Sequence, residues 1–185
     1  MLKAAAAPAA PRDDVLCRAQ EGDRGAFASL VGEHERMVFS LAYHFVRDRA
    51  IAEELAQDVF LELYRHLGDL TSPAHVTFWL RRVMSRRCID QQRRAVRRRE
   101  VPIDDVPEPA VAVFSGDPLR QERLRRLVGE LPGAARMVVI LRYQEDLEPL
   151  EISQILGMPI NTVKSHLRRT LALLRSKMME EEARP

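Results

Sequence analysis

The sequence predicts an all-α fold: two small helical domains joined by a flexible, acidic, proline-rich linker, the second containing a helix-turn-helix. Three observations predict it. Glycine is scarce, at 8 of 185 residues, and β-branched runs are short. Apolar residues recur at spacings of three and four through most of the chain. Between Glu100 and Pro118 the pattern stops: Pro102, Pro107 and Pro109 alternate with acids, and no basic residue occurs. The boundaries that follow are a disordered tail over 1–22, a first domain over 23–99, the linker over 100–117 and a second domain over 118–181.

Composition narrows the function classes. Hydrophobic residues make up 46% but aromatics only 5%, so the core must be built from Leu, Val, Ile and Ala. The formal net charge is only +2, so any dense basic stretch is a local feature. Cys17 and Cys88 lack metal-ligand spacing and suit a reducing compartment. The opening MLKAAAAPAAPR lacks the apolar stretch of a secretory signal, and no run is long enough to span a bilayer. The expectation is a cytoplasmic protein without membrane insertion, metal or cofactor. No Walker loop, G-x-S-x-G, H-E-x-x-H or nucleophile paired with a base occurs, so it is not expected to be an enzyme.

Asp23 suits the cap of a helix running to about Arg47, with Phe27, Leu30, Val31, His34, Val38, Leu41, Ala42 and Phe45 as its buried stripe. His34 then reads as a hydrogen-bonded core histidine. Asp48 suits the cap of the next helix, which reaches about Leu67. Ile51, Leu55, Val59, Leu63 and Leu67 recur every four residues, beside a parallel row of Ala52, Ala56, Phe60 and Tyr64. The opposite face carries Glu54, Gln57, Asp58 and Leu61, which periodicity alone reads equally well as solvated surface or docking site. Asp69 to His75 reads as a loop. A helix starting near Pro73 or Ala74 follows.

That helix contains WLRRVMSRRCIDQQRRAVRRR, Trp79 to Arg99, with nine arginines and one acid. Leu80, Val83, Met84 and Cys88 share one face, and Arg82, Arg86, Arg93 and Arg97 share the other. A row of guanidinium groups opposite a buried face is the footprint of a phosphate backbone. Beyond the linker come a helix over Leu119 to Val128, one opened by Leu131-Pro132, and a short one over Pro149 to Leu156. Gly157 ends it, and Asn161 suits the cap of a last helix to about Glu181.

Leu147 to Arg175 has the pattern of a helix-turn-helix, with Gly157 at the turn and Val163, Leu167, Leu171 and Leu174 inward. Asn161, Thr162, Lys164, Ser165, Arg168 and Arg169 are left facing out, as donors to phosphates and base edges. His166 beside them is assigned no role. A helical hairpin with a basic outer face is the blander reading, and the turn spacing favours DNA binding over it.

AEELAQDVFLELYRHL (Ala52 to Leu67) with FWLRRVMSRRCIDQQRR (Phe78 to Arg94) resembles the second conserved region of RNA polymerase sigma factors. LPGAARMVVILRYQEDLEPLEISQILGMPINTVKSHLRR (Leu131 to Arg169) resembles their fourth. Two such regions across a short linker resemble the extracytoplasmic-function (ECF) group of the sigma-70 family. The resemblance implies a subunit that binds core RNA polymerase and promoter DNA, recognises promoters and opens the strands. It implies that Glu54, Gln57, Asp58 and Leu61 dock on the coiled coil of the largest polymerase subunit. It also implies that the loop with Ser72 and His75 holds a flipped minus-ten base, and that the Trp79 helix meets the melting strand. The helix from Asn161 would enter the minus-thirty-five major groove, the linker would thread polymerase channels, and an anti-sigma factor is an implied partner. The chain departs from the family at Ser85-Arg86, where Arg-Asn is common, and at Glu148, where Ser or Thr usually caps the helix. The rival reading is a stand-alone helix-turn-helix regulator.

Overall fold

The structure is a computed structural model that describes residues 11–99 and 118–182. Among these residues every regular element is helical: α1 (Pro11–Gln20), α2 (Arg24–Val46), α3 (Arg49–His66), a 3-10 turn (Leu67–Asp69), α4 (Pro73–Arg99), α5 (Pro118–Gly129), α6 (Gly133–Tyr143), α7 (Pro149–Leu156) and α8 (Ile160–Glu182). The linker reading of 100–117 lies outside the described residues.

Local chemistry sets the helix ends. Asp23 Oδ1 accepts from the Gly25 and Ala26 amides at 2.8 and 3.1 Å. Asp48 Oδ1 accepts from Ile51 N at 2.9 Å. Each such cap contributes about 1 kcal/mol. Arg47 closes α2 in the left-handed region at φ 61, with its N–H on the Tyr43 carbonyl.

The expected tail over 1–22 is corrected at its end. Pro11–Gln20 is a helix, with Leu16 and Ala19 buried against the first domain. The Gln20 amide donates to the carbonyls of Leu67 and Leu70 at 2.9 and 2.7 Å, tying the helix to the turn after α3. The stripe is short and follows an alanine-proline run, so periodicity did not disclose it.

Helices α2, α3 and α4 pack around Val38, Leu41, Phe45, Val59, Leu63, Leu80 and Met84, each at most 1% exposed. Burying side chains of this size contributes about 1.5–3 kcal/mol apiece. His34 is buried as expected: Nδ1 donates to the Leu30 carbonyl at 2.9 Å, and Nε2 lies 3.1 Å from Thr77 Oγ1.

The two domains are not separate bodies on a tether. Helix α6 packs on α2 and α4, and α7 packs on α4, so Met137, Val138, Leu141 and Ile152 continue the same core. Arg136 of α6 is 9% exposed. Its guanidinium sits 5.0 Å from the Phe45 ring centroid and donates to the Phe45 carbonyl at 2.9 Å. It also donates to the carbonyls of Gly129 and Leu131. Burial, reinforced by nearby Arg47, pulls its pKa below the usual arginine value.

Candidate nucleic-acid interface

Two surfaces flank the arginine helix. On α3, Glu54, Gln57 and Leu61 are exposed, with Leu61 at 58%. Asp58 is half-buried because Arg87 reaches across from α4: Nη1 donates to Asp58 Oδ2 at 3.0 Å and Nη2 to Glu62 Oε2 at 2.6 Å. The hydrogen bond that Arg87 donates to Glu62 holds its guanidinium above its ordinary pKa, against the opposing effect of burial. A groove between α3 and α4 is lined by Glu54, Asp58, Arg86, Arg87 and Arg94, so acidic and basic faces share one cleft.

On α4, the expected division of faces is present. Leu80, Met84 and Cys88 are fully buried, while Arg82, Arg86 and Arg93 are exposed. Arg93 lies 3.3 Å from Asp90, a pair open to solvent. Arg97 lies within the helix, but its side chain is outside the described residues. Burial pushes the Cys88 thiol up to about 12, so it stays protonated. Trp79 is half-buried, its ring 6.0 Å from that of His66.

Helix α4 starts at Pro73, one of the two starts expected, so the loop before it ends short of His75. Ser72 is its last residue and acts as the helix cap, its Oγ accepting from His75 N at 3.1 Å. His75 is thus already in the first turn, and its Nδ1 accepts from the Thr71 amide at 3.3 Å. Ser72 and His75 are brought together, but by a capping geometry.

The helix-turn-helix forms from α7 and α8. Glu148 N donates to Glu151 Oε2 at 2.8 Å, and Pro149 takes the first helical position, so the unusual acidic start still satisfies an open amide. Gly157 turns the chain at φ 62, a conformation costly for any residue with a Cβ. The expected cap at Asn161 is corrected. Helix α8 starts at Ile160, and the Pro159 carbonyl accepts from Thr162 N at 2.8 Å. Proline has no amide to satisfy, so it takes the boundary and leaves the Asn161 side chain outward. Asn161, Thr162, Lys164, Arg168 and Arg169 are exposed, and Ser165 is half-buried. Asn161, Thr162, Ser165, His166 and Arg169 line a shallow depression, which brings in the histidine given no role. Val163, Thr170 and Leu174 are buried, while Leu167 and Leu171 are half-buried.

An exposed arginine row on one domain and an exposed polar helix start on the other suit two separate contacts with DNA. Two family models fit these same units: sigma-70 region 2 over residues 30–98, and sigma-70 region 4 over residues 121–174. The chain belongs to the sigma-70 family, in its ECF group. It is 25% identical over 178 residues to the ECF RNA polymerase sigma factor SigW of Bacillus subtilis, covering 87% of this chain and 93% of SigW. It is 29% identical over 161 residues to SigM of Mycobacterium tuberculosis, covering 87% and 81%. Two solved structures share the fold. CnrH bound to the cytosolic domain of CnrY superposes with a TM-score of 0.66 at 22% identity, over 91% of this chain and 97% of that one. RpoE bound to the anti-sigma factor NepR from Bartonella quintana gives 0.68 at 17%, over 83% and 96%.

Membership of the ECF group carries RNA polymerase binding and promoter-directed transcription initiation, and sigma factors are non-enzymatic initiation factors. Among the described residues no group of three His, Cys, Asp or Glu could hold a metal ion, and no helix is long and apolar enough to cross a membrane.

Proposed function

We propose that this ECF sigma factor docks on core polymerase through Glu54, Gln57, Asp58 and Leu61 and opens the minus-ten element with α4. The observation that carries this reading is the division of α4: Leu80, Met84 and Cys88 are anchored in the core while Arg82, Arg86 and Arg93 stand exposed on the same helix. Those guanidinium groups neutralise phosphates of the strand being opened, which releases counterions. The turn before α4, with Ser72, His75 and Trp79 around it, receives an unstacked base. Unstacking costs a few kcal/mol, which polymerase docking and phosphate contacts together offset. Asn161, Thr162, Lys164, Ser165, Arg168 and Arg169 read the minus-thirty-five element from the major groove.

The same reading includes an anti-sigma factor as partner, supported by the similar fold of RpoE in its complex with NepR. The test is a Gln57→Ala, Leu61→Ala double variant. Both side chains are exposed, so melting should match the parent while affinity for core polymerase falls at least several-fold. Parental affinity would place the docking face elsewhere.

A further inference from the structure

His66 ends α3, and the turn that follows folds its ring back against α4. Leu67 and Leu70 are buried and anchor that turn, which leaves His66 and Asp69 facing out. The His66 ring centroid lies 6.0 Å from that of Trp79, with 42° between the two planes. The rings therefore meet as an open wedge rather than a closed stack. His75 stands one helical turn before Trp79, on the same face of α4. Three rings thus follow one another along the surface beside Ser72.

Hydrogen bonds fix what the two imidazoles present. Asp69 Oδ2 lies 3.3 Å from His66 Nδ1. A carboxylate only accepts, so His66 Nδ1 carries a proton and, in the neutral ring, Nε2 is left as an acceptor. On His75 the order is reversed. The Thr71 amide donates to its Nδ1 at 3.3 Å, so its Nε2 carries the proton and offers a donor, which an acceptor on any base can meet.

We propose that His66 is a specificity-determining residue of the minus-ten site: with Trp79 it forms the stacking surface for the unstacked base, and its Nε2 selects adenine or cytosine over guanine or thymine. The proposal rests on the reading that the turn before α4 receives an unstacked base. Every base has a π-face, so the wedge itself supplies affinity without selection. Selection comes from the base edge. Where adenine and cytosine carry an exocyclic amine, guanine and thymine carry a carbonyl oxygen. An acceptor meets the amine and repels the carbonyl. Asp69 is then a positioning residue, acting through the proton it holds on His66 Nδ1.

The experiment is a binding titration of holoenzyme, the chain with core polymerase, on a promoter whose minus-ten segment is already single-stranded. An abasic site is placed at each minus-ten position in turn, and the largest loss marks the position held in the pocket. There the parent should lose about tenfold, the size of one stacked base. At the same position, adenine and cytosine should bind roughly five-fold tighter than purine and 2-pyrimidinone, their analogues without the amine, the size of one hydrogen bond. His66→Phe keeps a ring and loses the acceptor, so it should keep the abasic loss and bind both members of each pair alike. His66→Ala should lose the amine preference and shrink the abasic loss as well. Asp69→Ala should weaken the preference and leave the abasic loss. A general loss of stability would instead weaken every base alike. No amine preference in the parent, or a preference that survives in His66→Phe, would overturn the role of His66 while leaving the pocket in place. No abasic loss at any position would overturn the pocket itself, so the two failures are distinguishable.

Discussion

Arg87 on α4 holds Asp58 on α3, with Nη1 donating to Oδ2 at 3.0 Å, and the same guanidinium holds Glu62 one turn further on. Asp58 thus meets any partner in a fixed orientation. The three side chains are 28–48% exposed, so the pairs contribute at most about 1 kcal/mol to stability. Arg87→Gln should lower the melting temperature by no more than about 2–4 °C and weaken core polymerase binding several-fold, with Arg87→Lys intermediate. Fluorescence titration with core polymerase checks this, and parental affinity would show that the orientation of Asp58 is irrelevant.

Gln20 plays a similar part for the loop before α4. Its two hydrogen bonds fix the carbonyls of Leu67 and Leu70 from a helix outside the predicted domain. Gln20→Ala should cost about 1–3 kcal/mol, the net worth of two hydrogen bonds. It should also reduce discrimination among minus-ten bases on a pre-melted promoter, with core affinity unchanged. Discrimination equal to the parent would mean that α1 only adds stability.

Local features were legible in the sequence, and long-range ones were not. Asp23 and Asp48 cap as their positions suggest, because a cap needs only its next three residues. The buried and exposed faces of α4 follow from spacing alone. Asn161 misled because Pro159, two residues earlier, supplies the boundary carbonyl, and His75 looked like a loop residue although its amide already donates to the Ser72 cap in the first turn of α4. The packing of the two domains rests on partners 64 and 91 residues apart, Arg81 with Glu145 and Arg136 with Phe45, which no periodicity reports. One signal was present: α6 runs from Met137 to Leu141 without a polar residue, and all five are buried, and a run apolar all round needs neighbours on every side.

The start of α8 can be separated into base reading and phosphate contact. Arg168 and Lys164 stand one turn apart and exposed. If Arg168 reads a base, Arg168→Ala should cost about 1–3 kcal/mol and relax preference at one position. If it meets phosphate, all sequences should weaken alike. Binding of holoenzyme to a set of minus-thirty-five variants distinguishes these outcomes, and unchanged binding throughout would exclude α8 as the reader.

His44 makes the stability of the fold sensitive to pH. Burial, then Arg125, then Arg47 lower its pKa below the ordinary 6.5, with Glu145 acting in the opposite direction. The unfolded chain therefore binds its proton at a higher pH than the folded chain does. Stability is full above about pH 6.5 and is lost as pH falls toward and through the depressed folded value. His44→Gln should flatten the fall in melting temperature between about pH 7 and about pH 5. A slope equal to the parent's would show that other groups govern it.

The most direct test of the whole account is initiation itself: core RNA polymerase, the purified chain, and transcription from a library of duplex promoters. The account predicts transcripts from a defined minus-thirty-five and minus-ten pair only when the chain is present. Arg82→Ala, Arg93→Ala together should reduce initiation and lower the salt slope of promoter binding by roughly two. Parental initiation and slope in that double variant, or no chain-dependent transcript from any promoter, would contradict it.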